Sequence, residues 1–183
     1  MSEEESGEQV TINIVNTGAE TLWVDAVGCQ GIPAFFVADS EGNEVQVANE
    51  MCPIPLCDDL LAGECDRSCL NCLPPSGVRL EPGAKFGMIW SGDNLANRDM
   101  TAECAPGEGC AGECVVGYPR PAGLYEITVT AYLECSGDCA CEPSNPEDLW
   151  CHTQDDISTS QPLVVTVPFD YPKVTDVEVK VGA

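Results

Sequence analysis

The segment LYEITVTAYL, residues 124–133, is the longest stretch of the chain in which apolar and polar side chains alternate. Its apolar positions are Leu124, Ile127, Val129, Ala131 and Leu133. A period of two places one set of side chains on each face of a strand, and β-branched residues favour strand backbone. The segment therefore predicts a half-buried β-strand.

Shorter segments of the same kind lie on both sides of it, separated by turn residues. They are VTINIVN (10–16), TLWVDAV (21–27), AFFVAD (34–39), EVQVA (44–48), VRL (78–80), KFGMIW (85–90), LVVTVPF (163–169) and VTDVEVKV (174–181). We expect the first two to pair antiparallel across NTG (16–18), and SEGN (40–43) to close a hairpin. Pro82 and Gly83 predict a turn that joins 78–80 to 85–90. No segment predicts a long helix, so the expected fold is an all-β sandwich of about seven to nine strands.

Three short motifs accompany these strands: Asn16-x-Gly18, Leu80-x-Pro82-Gly83, and Gly123-Leu-Tyr125. In these motifs the chain resembles immunoglobulin-like bacterial cell-envelope domains, including the BsuPI proteinase-inhibitor type. Its cysteine-rich inserts resemble those of bacterial surface lipoproteins built on the same plan. The resemblance implies an immunoglobulin-like β-sandwich and a tyrosine corner, in which the Tyr125 hydroxyl bonds to nearby backbone.

The length of 183 residues is that of one domain. The acidic opening, residues 1–9, predicts a flexible tether, and residues 10–183 are expected to form a single domain. No apolar run is long enough to span a membrane. We expect any export signal or lipid anchor to lie outside this sequence.

Cysteine usage indicates an oxidising compartment, so the protein is expected to be secreted, periplasmic or at the cell surface. Three segments lack a clear strand pattern, namely 49–77, 92–123 and 135–161, and we expect disulfides to order these long loops. The thirteen cysteines are Cys29, Cys52, Cys57, Cys65, Cys69, Cys72, Cys104, Cys110, Cys114, Cys135, Cys139, Cys141 and Cys151.

The three segments hold five, three and four cysteines, and Cys29 stands alone. Pairing inside each segment would leave three thiols, so six disulfides and one free thiol require a bridge between segments. Counting strands up and down the sandwich puts Cys29 and the first two inserts at one end and the third insert at the other. We therefore expect the third insert to close internally, and the first to link to Cys29 or to the cluster at 104–114.

The net charge of −24, from 31 acidic and 7 basic residues, argues against nucleic acid as a partner. The sequence leaves protein, glycan or a second copy of the chain as partners on the envelope surface. A thirteenth, unpaired cysteine would permit an intermolecular disulfide.

Metal binding is one alternative. Cys69 and Cys72 have a zinc-ligand spacing, and Cys65 or Cys57 could complete four thiolates, but a second C-x-x-C is lacking. Acidic residues in the third insert could bind calcium, although their spacing is not that of an EF-hand. They are Asp138, Glu142, Glu147, Asp148, Asp155 and Asp156.

Protease inhibition is another alternative. Arg67 lies between Cys65 and Cys69, and a disulfide-held basic residue fits the S1 pocket of a trypsin-like protease.

Enzymatic activity and a cofactor are not expected. The only histidine, His152, adjoins Cys151, which we expect to be oxidised, and the chain carries neither a Gly-rich phosphate loop nor a G-x-S-x-G. The sequence thus predicts a disulfide-stabilised, non-enzymatic binding or structural module. Tyr118 and Trp150 are candidate contact residues, whereas Trp23 and Trp90 are expected in the core.

Overall fold

The computed structural model describes residues 7–27, 35–45, 55–65, 76–107, 109–153, 157 and 161–182. Within them the chain is almost entirely β-structure, with one short helix, α1 (Cys57–Leu61). The strands are β1 (Val10–Asn16), β2 (Leu22–Val27), β3 (Phe35–Asp39), β4 (Glu44–Val45), β5 (Ser76–Leu80), β6 (Lys85–Trp90), β7 (Asp93–Met100), β8 (Gly112–Pro119), β9 (Gly123–Tyr132), β10 (Trp150–Thr153), β11 (Pro162–Tyr171) and β12 (Asp176–Val181).

Two sheets pack face to face as a sandwich. The first has the order β12-β1-β6, and in it β1 runs parallel to β12 and antiparallel to β6. The second contains β2, β3, β4, β5, β9, β10 and β11. The all-β sandwich expected from the alternating segments is therefore the observed fold, with more strands than the sequence predicted.

Strand β9, the segment that predicts the fold, organises the second sheet. Along one edge it pairs with the whole of β11. Along the other edge it pairs first with β3 and then, at Ala131 and Tyr132, with β2. Its inward residues Tyr125, Ile127, Val129 and Ala131 are all buried, because period-two alternation sends every second side chain to the core.

Two of the expected strand pairings are wrong. β1 and β2 lie in different sheets, and so do β5 and β6, although the turn at Pro82 and Gly83 forms as predicted. Gly83 takes a φ of +83°, and Ala84 N–H donates to the Glu81 carbonyl. Each turn therefore carries the chain from one sheet to the other. Alternation fixes which side chains face the core but does not specify the hydrogen-bonded neighbour.

The β3–β4 hairpin forms as predicted, with Gly42 at a φ of +81°. The three inserts are more regular than the sequence indicates, since they contain α1, the β7–β8 pair and β10. The expected tether at 1–9 also starts to be fixed before β1. Gly7 N–H donates to Asp93 Oδ1 and Glu8 N–H donates to Tyr171 Oη, so these two residues are held by the domain.

Candidate functional site: a disulfide-clamped arm

Strands β7 and β8 form a two-stranded sheet of their own, separate from the sandwich sheets. Two disulfides attach α1 to it: Cys57 bonds to Cys114 in β8, and Cys65 bonds to Cys110 in the loop between the strands. We call the unit formed by residues 55–65 and 93–119 the arm. It joins the first cysteine-rich insert to the second, which is one of the two links that the cysteine count left open, the other being a link to Cys29.

A small apolar core lies inside the arm. Leu60 is fully buried, and it packs with Met100 and the Cys57–Cys114 bridge. Cys57 and Leu60 are three positions apart and share one face of the helix, while Asp58 and Asp59 in the first turn suit the positive end of the helix dipole. A helix of five residues is too short to be stable in water by itself, so the bridges and this core hold it in place.

The base of the arm is fixed to the sandwich by hydrogen bonds. Trp90 Nε1 donates to the Asp93 carbonyl over 3.2 Å, and Arg120 N–H donates to the Gly92 carbonyl over 3.0 Å. Tyr171 Oη accepts from Glu8 N–H at 2.8 Å and donates to the same Gly92 carbonyl at 3.4 Å. These hydrogen bonds therefore fix Ser91 and Gly92, the residues at which the chain passes from β6 of the sandwich to β7 of the arm.

Arg120 also ties this base to the second sheet. Its Nη2 lies 3.2 Å from Asp39 Oδ2, and its guanidinium lies 5.6 Å from the centre of the Tyr125 ring. Hydrogen bonding by Asn43 N–H holds the pKa of the Asp39 carboxyl below its usual value, and the charge of Arg120 acts in the same direction. The Tyr125 hydroxyl donates to the Pro121 carbonyl at 2.9 Å, which is the tyrosine-corner contact that the resemblance implied.

The arm leaves apolar side chains exposed. Val116 and Tyr118 are 40% and 44% exposed, and alternation along β8 puts them on one face of the hairpin, the face whose other end is covered by α1. Asn94 Nδ2 donates to Tyr118 Oη and so orients that ring. Leu56 and Leu61 at the ends of the helical segment are also largely exposed. Tyr118 was a candidate contact residue from the sequence, whereas Val116 was not predicted, and the adjacent β-branched pair Val115-Val116 is the signal in the sequence that could have indicated it.

The third insert closes on itself. Cys135 bonds to Cys139, and Cys141 bonds to Cys151 in β10, as parity predicted. Among the described cysteines Cys104 has no bridge and is exposed. Cys29, Cys52, Cys69 and Cys72 lie outside the described residues, so the total of one free thiol stays a prediction.

Several candidate residues have a different setting from the one expected. Trp150 lies in β10, and its ring centre is 4.9 Å from that of Phe86, so it packs against the core as a sandwich residue. Trp90 is buried in the core as predicted, whereas Trp23 lies half-buried on the opposite face of its sheet. Arg67 lies outside the described residues. Cys65 is bonded to Cys110, so the small Cys65–Cys69 ring considered for an inhibitory loop does not form.

The structure describes some of the candidate metal-ligating residues. Cys57 and Cys65 are both oxidised, so neither supplies a thiolate to a site with Cys69 and Cys72. Asp155 and Asp156 lie outside the described residues, and the described part of the chain contains no group of three metal-ligating side chains. His152 packs its ring beside Phe86 and Trp150, while the neighbouring Cys151 is in a disulfide. A Cys151/His152 nucleophile pair is therefore excluded.

The four disulfides among the described residues are features of a protein from an oxidising environment. None of the helical structure in the described ranges is long and apolar enough to cross a membrane. Comparisons of the chain with family models, with curated proteins and with solved structures found no match.

Proposed function

We propose that the chain is a non-enzymatic binding module of an oxidising compartment, secreted or at the cell surface, in which an immunoglobulin-like sandwich presents the arm to a protein partner. One observation carries the proposal. Two disulfides and a buried leucine hold α1 against β8, while Val116 and Tyr118 on the same hairpin stay exposed. Fixing a loop before it binds lowers the entropy lost on association, and exposed tyrosines are common anchors of interfaces.

The proposal is tested by a photo-crosslinking amino acid placed at Tyr118. The matched control is the same amino acid at Leu124, an exposed apolar residue of β9 in the sandwich. We expect envelope extracts of the source cells to give an adduct from position 118 that excess unlabelled protein competes away, and none from position 124. Absence of an adduct at 118, or equal yields at both positions, would contradict the role of the arm.

A further inference from the structure

One edge of strand β7 pairs with no strand of the described residues, and the hydrogen-bond pattern of the arm shows which backbone groups lie along it. Arg120 N–H donates to the Gly92 carbonyl, so residues 92 and 120 form a hydrogen-bonded pair of the antiparallel ladder. Such pairs recur at every second position, so the even-numbered residues of β7 bond to β8. The odd-numbered residues of both strands then point their N–H and C=O groups away from the hairpin.

Two further observations agree with this assignment. Val115 in β8 donates its N–H to the Pro55 carbonyl, away from β7, and Pro119, which has no N–H, stands opposite Asp93. On β7 the Asp93 carbonyl accepts from Trp90 Nε1. The next three outward residues of β7 are Leu95, Asn97 and Asp99, and their backbone groups have no partner among the described residues. We call these three residues the free edge.

The strand that carries the free edge lacks proline, lysine and bulges, three of the features that protect an exposed strand, although it has the charged residues Asp93, Arg98 and Asp99. Such strands carry prolines, lysines or bulges that prevent another chain from pairing with them. β11, the edge strand beside β9, contains Pro162 and Pro168. β7 has neither proline nor lysine, its register with β8 is unbroken over eight residues, and Asn97 and Asp99 are exposed.

Charge decides which strand this edge accepts. Asp99 lies directly opposite Glu113, and like charges in this cross-strand position repel each other. Neither carboxylate takes part in the ion pairs of the described residues. A second copy of this chain would add two more carboxylates and a net charge of −24, whereas a lysine or arginine beside Asp99 would relieve the repulsion.

We propose that the free edge of β7 binds an extended basic segment of a partner protein by strand addition. The segment would place an apolar side chain beside Leu95 and a basic side chain beside Asp99, four residues apart on one face. Arg98 points to the other face of the hairpin, where polar side chains of the segment are preferred. This inference rests on the proposal that the arm is the binding element. It adds that the bound segment of the partner is extended and basic.

Amide hydrogen exchange with a synthetic peptide provides the test. The probe is the capped nonapeptide TKTVTVTKT, in which valine and lysine stand four residues apart in either chain direction, and the control is TETVTVTET. We expect the lysine peptide to slow exchange of the Leu95, Asn97 and Asp99 amides at least about tenfold, as newly hydrogen-bonded amides do. Ala96 and Arg98, already bonded to β8, serve as internal references whose exchange changes little.

The matched variants are Asn97→Pro and Asn97→Ala. Proline at position 97 removes an outward N–H without touching the β7–β8 ladder, so it should weaken binding about tenfold while alanine does not. No protection of the three amides, equal protection by both peptides, or unchanged binding of Asn97→Pro would overturn the inference. Protection that grows with protein concentration in the absence of peptide would also overturn it, in favour of self-pairing.

The same variants separate this inference from the proposed function. If the crosslink from position 118 persists in Asn97→Pro, the arm still binds its partner, and strand addition is wrong. If the crosslink is absent in the wild type while the three amides are protected by the lysine peptide, the edge binds as inferred and the role given to Tyr118 is wrong.

Discussion

The backbone N–H of Val115 in β8 donates a hydrogen bond to the Pro55 carbonyl, 2.9 Å away. This contact makes the residues before α1 a partial third strand beside the β7–β8 hairpin, and the Leu56–Val115 bridge continues it. The arm is thus held by backbone hydrogen bonding as well as by disulfides. We therefore expect that mutations in the arm can change its stability separately from that of the sandwich.

Removing the Cys57–Cys114 bridge should loosen the arm alone. In the chain-entropy model a bridge between residues 57 positions apart is worth about 4 kcal/mol, and less here because Cys65–Cys110 partly replaces it. We expect the Cys57→Ala/Cys114→Ala variant to lose exchange protection at Val115 while β9 and β11 keep theirs. The control is Cys141→Ala/Cys151→Ala, which should leave Val115 protected. Equal loss throughout both sheets would show that the arm does not open independently.

Two adjacent leucines of α1 should differ sharply in their effect on stability. Leu60 is fully buried in the arm core, so Leu60→Ala should cost about 2–5 kcal/mol of the free energy of opening the arm. Leu61 is 53% exposed, and Leu61→Ala should change that free energy by less than about 0.5 kcal/mol. Amide exchange at Val115 measures both. Similar effects of the two variants would mean that α1 is not held as described.

The sequence predicts the sandwich well because the burial of alternate residues leaves a direct trace in the chain. β9 and β12 show it clearly, as Val177, Val179 and Val181 are buried and the residues between them are exposed. The hydrogen-bonded partner of a strand leaves no such trace. β1, which contains Ile12, and β2, which contains Val24, have the same alternating pattern and yet belong to different sheets. A turn between two alternating strands can close a hairpin or connect two sheets.

The arm is harder to predict from the sequence. β7, with the sequence DNLANRDM, has no apolar alternation, because its faces meet solvent or the small core rather than the sandwich. α1 is too short for a helical period to appear. Cysteine parity nevertheless predicted a bridge from the first insert either to Cys29 or to the second insert, and the bridges Cys57–Cys114 and Cys65–Cys110 are of the second kind.

Tyr171 and Tyr125 provide a comparison of two buried hydroxyl groups. Tyr171→Phe leaves the Glu8 N–H without its acceptor and removes the weaker of two donors to the Gly92 carbonyl, whereas Tyr125→Phe affects only the Pro121 carbonyl. We expect the free energy of unfolding to fall by about 1–3 kcal/mol for Tyr171→Phe and by about 1 kcal/mol for Tyr125→Phe. Urea unfolding measures both values. A smaller loss for Tyr171→Phe would argue against its role at the base of the arm.

Alkaline pH should destabilise the fold through the same hydroxyl. Burial raises the pKa of Tyr171 above 10.0, and burial with the charge of Asp25 raises the pKa of Tyr132. A raised folded-state pKa means that the native protein holds its proton where the unfolded chain releases it. The contribution of these two tyrosines to the free energy of unfolding should therefore be constant below about pH 10 and be lost as pH rises through their folded-state pKa values.

Urea unfolding from pH 8 to pH 11 tests this decrease, with Cys104 alkylated to prevent disulfide exchange. Tyr171→Phe should show a shallower decrease than the wild type, because one of the two tyrosines no longer titrates. If wild type and variant show the same pH profile, the loss of unfolding free energy at alkaline pH comes from groups other than Tyr171.

Salt should raise the melting temperature. The excess of 24 negative charges repels itself in the compact state, and the described ion pairs are mostly at least partly exposed, so they contribute little. Raising sodium chloride from about 0.02 M to 1 M shortens the Debye length from more than 20 Å to about 3 Å and screens this repulsion. For a domain of this size each kcal/mol regained raises the melting temperature by about 2–4 °C.

The variant Asp99→Asn/Glu113→Gln removes one directly opposed pair of carboxylates, so it should melt at a higher temperature than wild type at low salt and at the same temperature in 1 M salt. A wild-type melting temperature that falls with salt would mean that the exposed ion pairs outweigh the net repulsion.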